Sequence, residues 1–317
     1  MRTLLFNQTT FPGSVSGRFR RRRLHDHAVG RESAAATRPG AAHLAGARSI
    51  VLGVAVAGTS ALGPLVLNVI RFRTSDAMRN QFIGGEVATL GVLAPLLIVS
   101  GVLYWRGRPL APLIAIGPAL AVVYTDTTVV LGQEWARYPG NIEHWLPLYT
   151  ALVVGAGFAA WQAWTRIAVI SPSGVEKRAT RLLAGLVAGI GILFALAWAA
   201  QIRDWYAGHP TSEALEAPTL FWLIKFLDFT VTIPAMVAAG VLTLRGESRG
   251  MRLLMAVGPF TACTLASVCG MAIAMTVKDD PAASLAMLVG TAMATVAVGG
   301  LCANVIRGQM ATAPPNS

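Results

Sequence analysis

Eight apolar runs, each about 20 residues long, follow one another between positions 49 and 306 of this 317-residue chain. A helix needs about 20 apolar residues to cross the hydrocarbon core of a bilayer. Only 13% of the residues are charged, whereas soluble domains carry about 25%. These features exclude a soluble globular enzyme, a disordered protein and a disulfide-linked scaffold. They predict an all-α, polytopic membrane helix bundle.

The apolar runs set the expected domain organisation. Transmembrane helices are predicted at residues 49–70, 83–105, 110–132, 146–166, 181–202, 219–244, 252–276 and 284–306. They form a first four-helix membrane repeat (49–166) and a second one (181–306). A basic, disordered tail (1–48) precedes the helices, and a short C-terminal tail (307–317) follows them.

Lysine and arginine indicate the orientation of the chain in the membrane. Nineteen of them fall in the tails and loops on one predicted side, six on the other, and Lys225 lies within a span. Cytoplasmic loops carry the excess of positive charge, so both termini are expected in the cytoplasm. We therefore predict a multi-pass protein of a bacterial plasma membrane. The loop at 71–81 departs from the rule, because it holds three arginines on the predicted outer side.

Much of the net charge of +11 comes from the N-terminal tail, which alone contributes +7. At its centre stand Arg20, Arg21, Arg22 and Arg23. We expect this run to lie against anionic lipid headgroups, where each cation adds about 1 kcal/mol. A transit peptide and an extension upstream of the true start are the alternatives. Because the positive charge follows the topology, no nucleic-acid partner is expected.

An internal duplication relates the second and sixth predicted helices at an offset of 139 residues. The shared pattern is a proline followed by Gly-Val-Leu and then Arg-Gly, beginning at Pro95 and at Pro234. Four helices per half is an even number, so both halves enter the membrane in the same direction, as in parallel-repeat transporters. Each proline removes one backbone hydrogen bond and is expected to kink its helix.

Four ionisable residues fall within predicted spans: Glu86, Asp126, Lys225 and Asp228. A charge at the centre of a bilayer costs at least about 2.5–3.5 kcal/mol, so such residues usually face a partner or a wet cavity. All four are expected in the outer half of the membrane. They are candidates for a ligand- or proton-binding site, with Asp126 or Asp228 as the titrating group.

Their relation in the repeat suggests a specific contact. Glu86 and Lys225 occupy equivalent positions at the 139-residue offset, so helices that face each other across the repeat axis would bring them together. We therefore predict an intramembrane Glu86–Lys225 ion pair. The alternative to a binding site is an ion-pair network that only fixes how the two halves dock.

The predicted outer loops hold a second group of chemically capable side chains. These acids, histidines and tryptophans, with one arginine, could bind a metal or a sugar. They are Glu134, Trp135, Arg137, Glu143, His144, Trp145, Asp204, Trp205, His209, Glu213 and Glu216. Ordinary interfacial loops have the same composition. Three cysteines, Cys263, Cys269 and Cys302, lie within apolar runs without CxxC spacing, as buried packing residues do. Neither a catalytic residue, a cofactor nor a metal site is predicted.

Short motifs suggest a resemblance that covers residues 80–275. They are Gly85-Glu86, Thr89-Leu90, Pro95, Arg106-Gly107, Gly117, Tyr124-Thr125, Lys225-Phe226-Leu227-Asp228 and Pro234. In these positions the chain resembles an uncharacterised family of bacterial eight-helix integral membrane proteins with two four-helix repeats. The resemblance implies an integral membrane protein and no particular activity. Asp126 departs from the aromatic-rich pattern of the third helix in that family.

Three functions remain open from the sequence. The first is a small-molecule or ion permease, or a related ligand-binding membrane protein, with its site among the four intramembrane charges. The second is a non-transporting membrane scaffold or assembly component. The third is a membrane enzyme that acts at the outer face through the loop acids and histidines. The expected partners are the lipid bilayer and a small polar ligand or ion.

Overall fold

The computed structural model describes residues 39–167, 174–280 and 283–311. This part of the chain contains nine α-helices and no strand. Ala42–Ser317 form one compact unit; of the unit Met1–Ala41, only residues 39–41 are described, as the start of the first helix. The arginine run of the tail, with its predicted lipid contact, lies outside the described residues.

The helices follow the chain in the order that the apolar runs predict. Their bounds are α1 Pro39–Leu62, α2 Asp76–Trp105, α3 Ala111–Leu131, α4 Leu146–Arg166, α5 Gly174–Tyr206, α6 Ser212–Glu216, α7 Pro218–Leu244, α8 Ser248–Val277 and α9 Leu285–Ala311. All except the short α6 are long and apolar enough to cross a membrane. The prediction of an all-α protein with eight spanning helices is confirmed.

Among the helix boundaries that differ from the prediction, the end of α1 and the start of α2 have clear local causes. Helix α1 spans Pro39–Leu62 rather than 49–70, because Gly63 and Pro64 follow and a residue before proline avoids the helical conformation. Helix α2 begins at Asp76 rather than 83, where the Ser75 side chain accepts a hydrogen bond from the Met78 amide at 3.3 Å. Such a cap satisfies an amide that the first turn leaves unpaired. The apolar runs alone do not report either boundary.

Two π-helical turns interrupt α2 and α7 at positions 139 residues apart. They comprise Thr89–Leu93 and Asp228–Thr232. Each ends two residues before a proline of the duplicated pattern, Pro95 or Pro234. A proline within a helix removes one amide donor and clashes with the carbonyl four residues earlier, and a widened turn is one way to relieve both. The matched turns support the duplication, which stays a prediction.

Small residues let the helices cross closely. A Cβ at Gly84 of α2 would collide with the backbone of Gly270 in α8, and a Cβ at Gly270 would collide with Gly84. A Cβ at Gly117 of α3 would lie 2.5 Å from Pro259 of α8. These contacts place α8 against both α2 and α3 at the centre of the bundle, where small residues permit tight packing in membranes.

One end of the bundle is held together by loops, and we call it the loop-rich end. It comprises residues 63–75, 132–141, 207–217 and 278–280. Asn141 illustrates the links: its side-chain amide donates to the Val69 carbonyl at 2.9 Å and accepts from the Arg71 amide at 2.8 Å. Helices α2 and α7 begin at this end and α3 finishes there, so its loops determine how these three helices are arranged.

Candidate functional site

The four intramembrane charges lie in the half of the bundle nearer the loop-rich end. Glu86 and Asp228 are each ten residues from the first residue of their helices, about 15 Å along the axis at 1.5 Å per residue. Lys225 lies one turn closer to that end on α7, and Asp126 is five residues before the end of α3. The four side chains do not form one site, because they separate into two clusters.

The first group, which we call the acidic cluster, comprises Glu86, Asp126 and Tyr149. Glu86 is buried, and one of its carboxyl oxygens accepts a hydrogen bond from the Leu65 amide at 2.9 Å. The same carboxyl group lies directly against Gly63, where a Cβ would collide with it. The turn after α1 therefore holds Glu86, and a glycine is needed for the carboxyl group to approach the backbone so closely.

Asp126 is the unsatisfied member of the acidic cluster. Its Oδ2 atom is shielded from solvent and has no hydrogen-bond partner among the described residues. Tyr149 of α4 is 4% exposed, and its hydroxyl interacts electrostatically with both Asp126 and Glu86. Both acids thus lie within electrostatic range of one buried tyrosine, and no cationic side chain is among their recorded contacts. Asp126 as a whole is half-buried, but a shielded carboxylate oxygen without a partner is costly, so this position favours a proton or a bound cation.

The second group, which we call the lysine cluster, comprises Tyr124, Trp198, Lys225 and Asp228. The carboxyl oxygens of Asp228 accept hydrogen bonds from the Tyr124 hydroxyl at 3.0 Å and from the Trp198 indole at 2.7 Å. Asp228 is 4% exposed. Helices α3, α5 and α7 therefore meet around one carboxylate whose acceptors are occupied, as buried polar groups require.

Lys225 contacts aromatic rings and interacts with acids of the second predicted four-helix repeat. Its ammonium nitrogen lies 3.8 Å from the centroid of the Phe221 ring and 4.2 Å from that of Trp198. It also interacts electrostatically with Glu213 and Asp228. Cation–π contacts gain strength when they are removed from water, so these aromatic faces stabilise a cation inside the bundle.

The predicted Glu86–Lys225 ion pair is wrong. Glu86 bonds to the turn after α1, whereas Lys225 packs on Phe221 and Trp198, and the two side chains share none of these contacts. No salt bridge joins them among the described residues. Residues at equivalent positions of a repeat need not be in contact. The repeat fixes how they are related by symmetry, not how far apart they lie.

Two of the loop acids proposed for an outer-face enzyme, Glu134 and Glu143, link separate segments of the chain. Glu134 accepts hydrogen bonds from the Thr219 amide at 2.7 Å and from its hydroxyl at 3.1 Å. Glu143 pairs in a bidentate manner with Arg73, at 3.1 and 2.5 Å, and this hydrogen bond raises the pKa of the Arg73 guanidinium. Among the described residues, no group of three or more histidine, cysteine or acidic side chains could hold a metal ion.

Sequence reasoning missed Tyr149 and Trp198 as members of the two clusters. Tyr149 stands at a span end, where aromatic residues usually mark the membrane interface. Trp198 lies in an apolar stretch of α5. An intramembrane acid needs hydrogen-bond donors nearby. Tyrosine and tryptophan at the same predicted depth as Glu86 and Asp228 are therefore the signal that could have identified Tyr149 and Trp198.

No family model, curated protein or solved structure matches the chain. The fold and the two clusters define the protein as a multi-pass α-helical membrane protein with buried ionisable groups. The resemblance to a bacterial eight-helix family stays a prediction.

Proposed function

We propose that this protein is an ion permease of a bacterial plasma membrane, and that the acidic cluster binds the transported cation or proton. The termini lie in the cytoplasm in this proposal, as the excess of positive charge in the corresponding loops indicates. The loop-rich end then faces outward, and both acids of the acidic cluster lie in the half of the bundle nearer to it.

The observation that supports this proposal is the unpartnered Asp126 carboxyl oxygen. Asp228, the other candidate for titration, already accepts from Tyr124 and Trp198 and has Lys225 nearby. Ionisable residues inside a membrane mark ion pathways when they face a cavity or lack a fixed partner. The comparison favours Asp126 as the exchanging group and Asp228 as a fixed structural acid.

The chemistry of the acidic cluster favours a proton or a small, hard cation. Two carboxyl groups and a tyrosine hydroxyl offer oxygen atoms only, which suits hard cations. Glu86 is anchored by the Leu65 amide, whereas Asp126 has an oxygen without such a partner and is the group that gains or loses the ion in this proposal.

Flux measurements in liposomes test the proposal. The protein is reconstituted with a pH-sensitive dye inside, and a gradient of potassium or of protons is imposed. We expect Asp126→Asn to abolish flux while the protein remains folded, because asparagine keeps the shape of the side chain and cannot exchange a proton.

The matched control is Glu134→Gln, a loop acid whose carboxylate accepts hydrogen bonds from Thr219 at the start of α7. It should retain flux. Equal flux from wild-type protein and Asp126→Asn would refute the proposal and leave the scaffold hypothesis as the better account. Loss of flux in Glu134→Gln alone would favour action at the loop acids.

A further inference from the structure

A cleft at the loop-rich end contains two arginines, and no member of the acidic cluster or of the lysine cluster lines it. Its volume is about 290 Å³, and Asn68, Arg71 and Arg79 line it together with apolar walls from Pro64, Phe72 and Pro139. No acidic side chain belongs to this lining. The cleft is therefore a cationic recess on a surface that the charge distribution predicts to be poor in arginine.

The arginines of this loop differ in their use. Arg73 is committed to the fold, since its guanidinium binds Glu143 and donates to the Tyr138 carbonyl at 3.2 Å. Arg71 is exposed, and its side chain makes no hydrogen bond or ion pair that the described residues record. Arg79 pairs only with Asp76 at 3.1 Å, and the Asp76 side chain is 89% exposed. Exposed pairs of this kind contribute little, so both lining guanidinium groups are available to a ligand.

The backbone around Arg71 is held rigidly although its side chain is exposed. Its amide donates to the Asn141 side chain at 2.8 Å, and its carbonyl accepts from the Asn141 amide at 2.9 Å. Gly140 packs so closely here that a Cβ would lie 2.7 Å from the Arg71 carbonyl oxygen. A fixed backbone removes the main-chain part of the ordering cost of binding, so that only the Arg71 side chain has to be ordered by a ligand.

We propose that this cleft, which we call the arginine cleft, binds a phosphate group. Guanidinium groups bind phosphate oxygens in a bidentate manner, and two of them offset the charge of a dianion. The Asn68 amide lies in the same lining and adds a neutral hydrogen-bonding group. A free phosphate and the phosphate monoester headgroup of a lipid present the same chemistry to the cleft. This site is independent of ion permeation at the acidic cluster.

Two binding measurements test the arginine cleft. In the first, the purified full-length protein in detergent is titrated with inorganic phosphate by calorimetry. In the second, the protein is purified from vesicles of phosphatidylcholine with added phosphatidic acid, and the retained lipids are quantified. The variants are Arg71→Gln with Arg79→Gln, and the control is Arg108→Gln, an exposed arginine at the opposite end of the bundle.

We expect the double variant to weaken phosphate binding or phosphatidic acid retention by roughly tenfold or more, because charge-assisted hydrogen bonds are lost. The control should match wild type, and unchanged melting temperatures should show that all variants fold. Loss in the calorimetric arm identifies a soluble phosphate, and loss only in the retention arm identifies a lipid headgroup. Equal values for wild-type and double-variant protein in both arms, including a shared absence of binding, would overturn the proposal.

Discussion

The individual charges of this bundle are stabilised in three different ways. Glu86 accepts a backbone hydrogen bond, Asp228 accepts two side-chain hydrogen bonds, and Lys225 rests on aromatic rings. Asp126 alone among these four has a shielded oxygen without a partner in the described chain. Because burying a charge is costly unless it is paired, this difference is the reason why we propose Asp126, and not Glu86 or Asp228, as the exchangeable acid.

The independence of Glu86 and Lys225 gives a residue-scale prediction. We expect the destabilisations caused by Glu86→Gln and Lys225→Met to add within about 0.5 kcal/mol in the double variant, because they share no partner. The free energy of unfolding is measured by chemical unfolding in detergent for wild type, both single variants and the double variant. The loss in the double variant is then compared with the sum of the two single losses. A coupling energy of about 1 kcal/mol or more would instead indicate a direct interaction.

The sequence identified the charged residues but not their neighbours. Glu86, Asp126, Lys225 and Asp228 stand out because charge is rare in apolar runs. Their grouping depends on which helix faces which, and the offset of the repeat does not contain that information. Glu86 turns toward Leu65 only because Gly63 and Pro64 end α1 early, and no periodicity in the apolar run reports this contact.

At the scale of the helices, close crossings are set by a few small residues. The number of spanning helices follows from the lengths of the apolar runs, whereas the crossing points require the structure. Gly84 and Gly270 touch each other through their backbones. Gly185 and Gly189, whose spacing is typical of helix contacts in membranes, have no neighbouring heavy atom within 4 Å of a Cβ built on them.

This contrast predicts opposite effects for two glycine substitutions. Gly84→Ala should destabilise the protein by about 1–3 kcal/mol, because a Cβ would overpack a contact between two backbones. Gly185→Ala should be neutral or slightly stabilising, since alanine favours a helix more than glycine does. Thermal melting of both variants in detergent makes the comparison. Similar losses in both would show that the α2–α8 crossing is not the tight contact described.

At the scale of the whole molecule, our proposal assigns a structural role to the lysine cluster and ion exchange to the acidic cluster. The lysine cluster joins α3, α5 and α7 through satisfied groups, and the loop-rich end is fastened by hydrogen bonds between distant loops. The acidic cluster lies beside this rigid framework, with Asp126 five residues from the end of α3. An ion that enters from the loop-rich end would therefore meet Asp126 within about two helical turns.

The central claim is that Asp126 carries an exchangeable proton, which alkali cations can replace. Infrared difference spectroscopy of the protein in lipid, in buffer free of alkali cations, measures the carbonyl band of protonated carboxyl groups as the pH changes. We predict a band that is lost in Asp126→Asn, is retained in Asp228→Asn, and weakens when potassium or sodium is added. A spectrum of Asp126→Asn that equals that of wild type would contradict the claim.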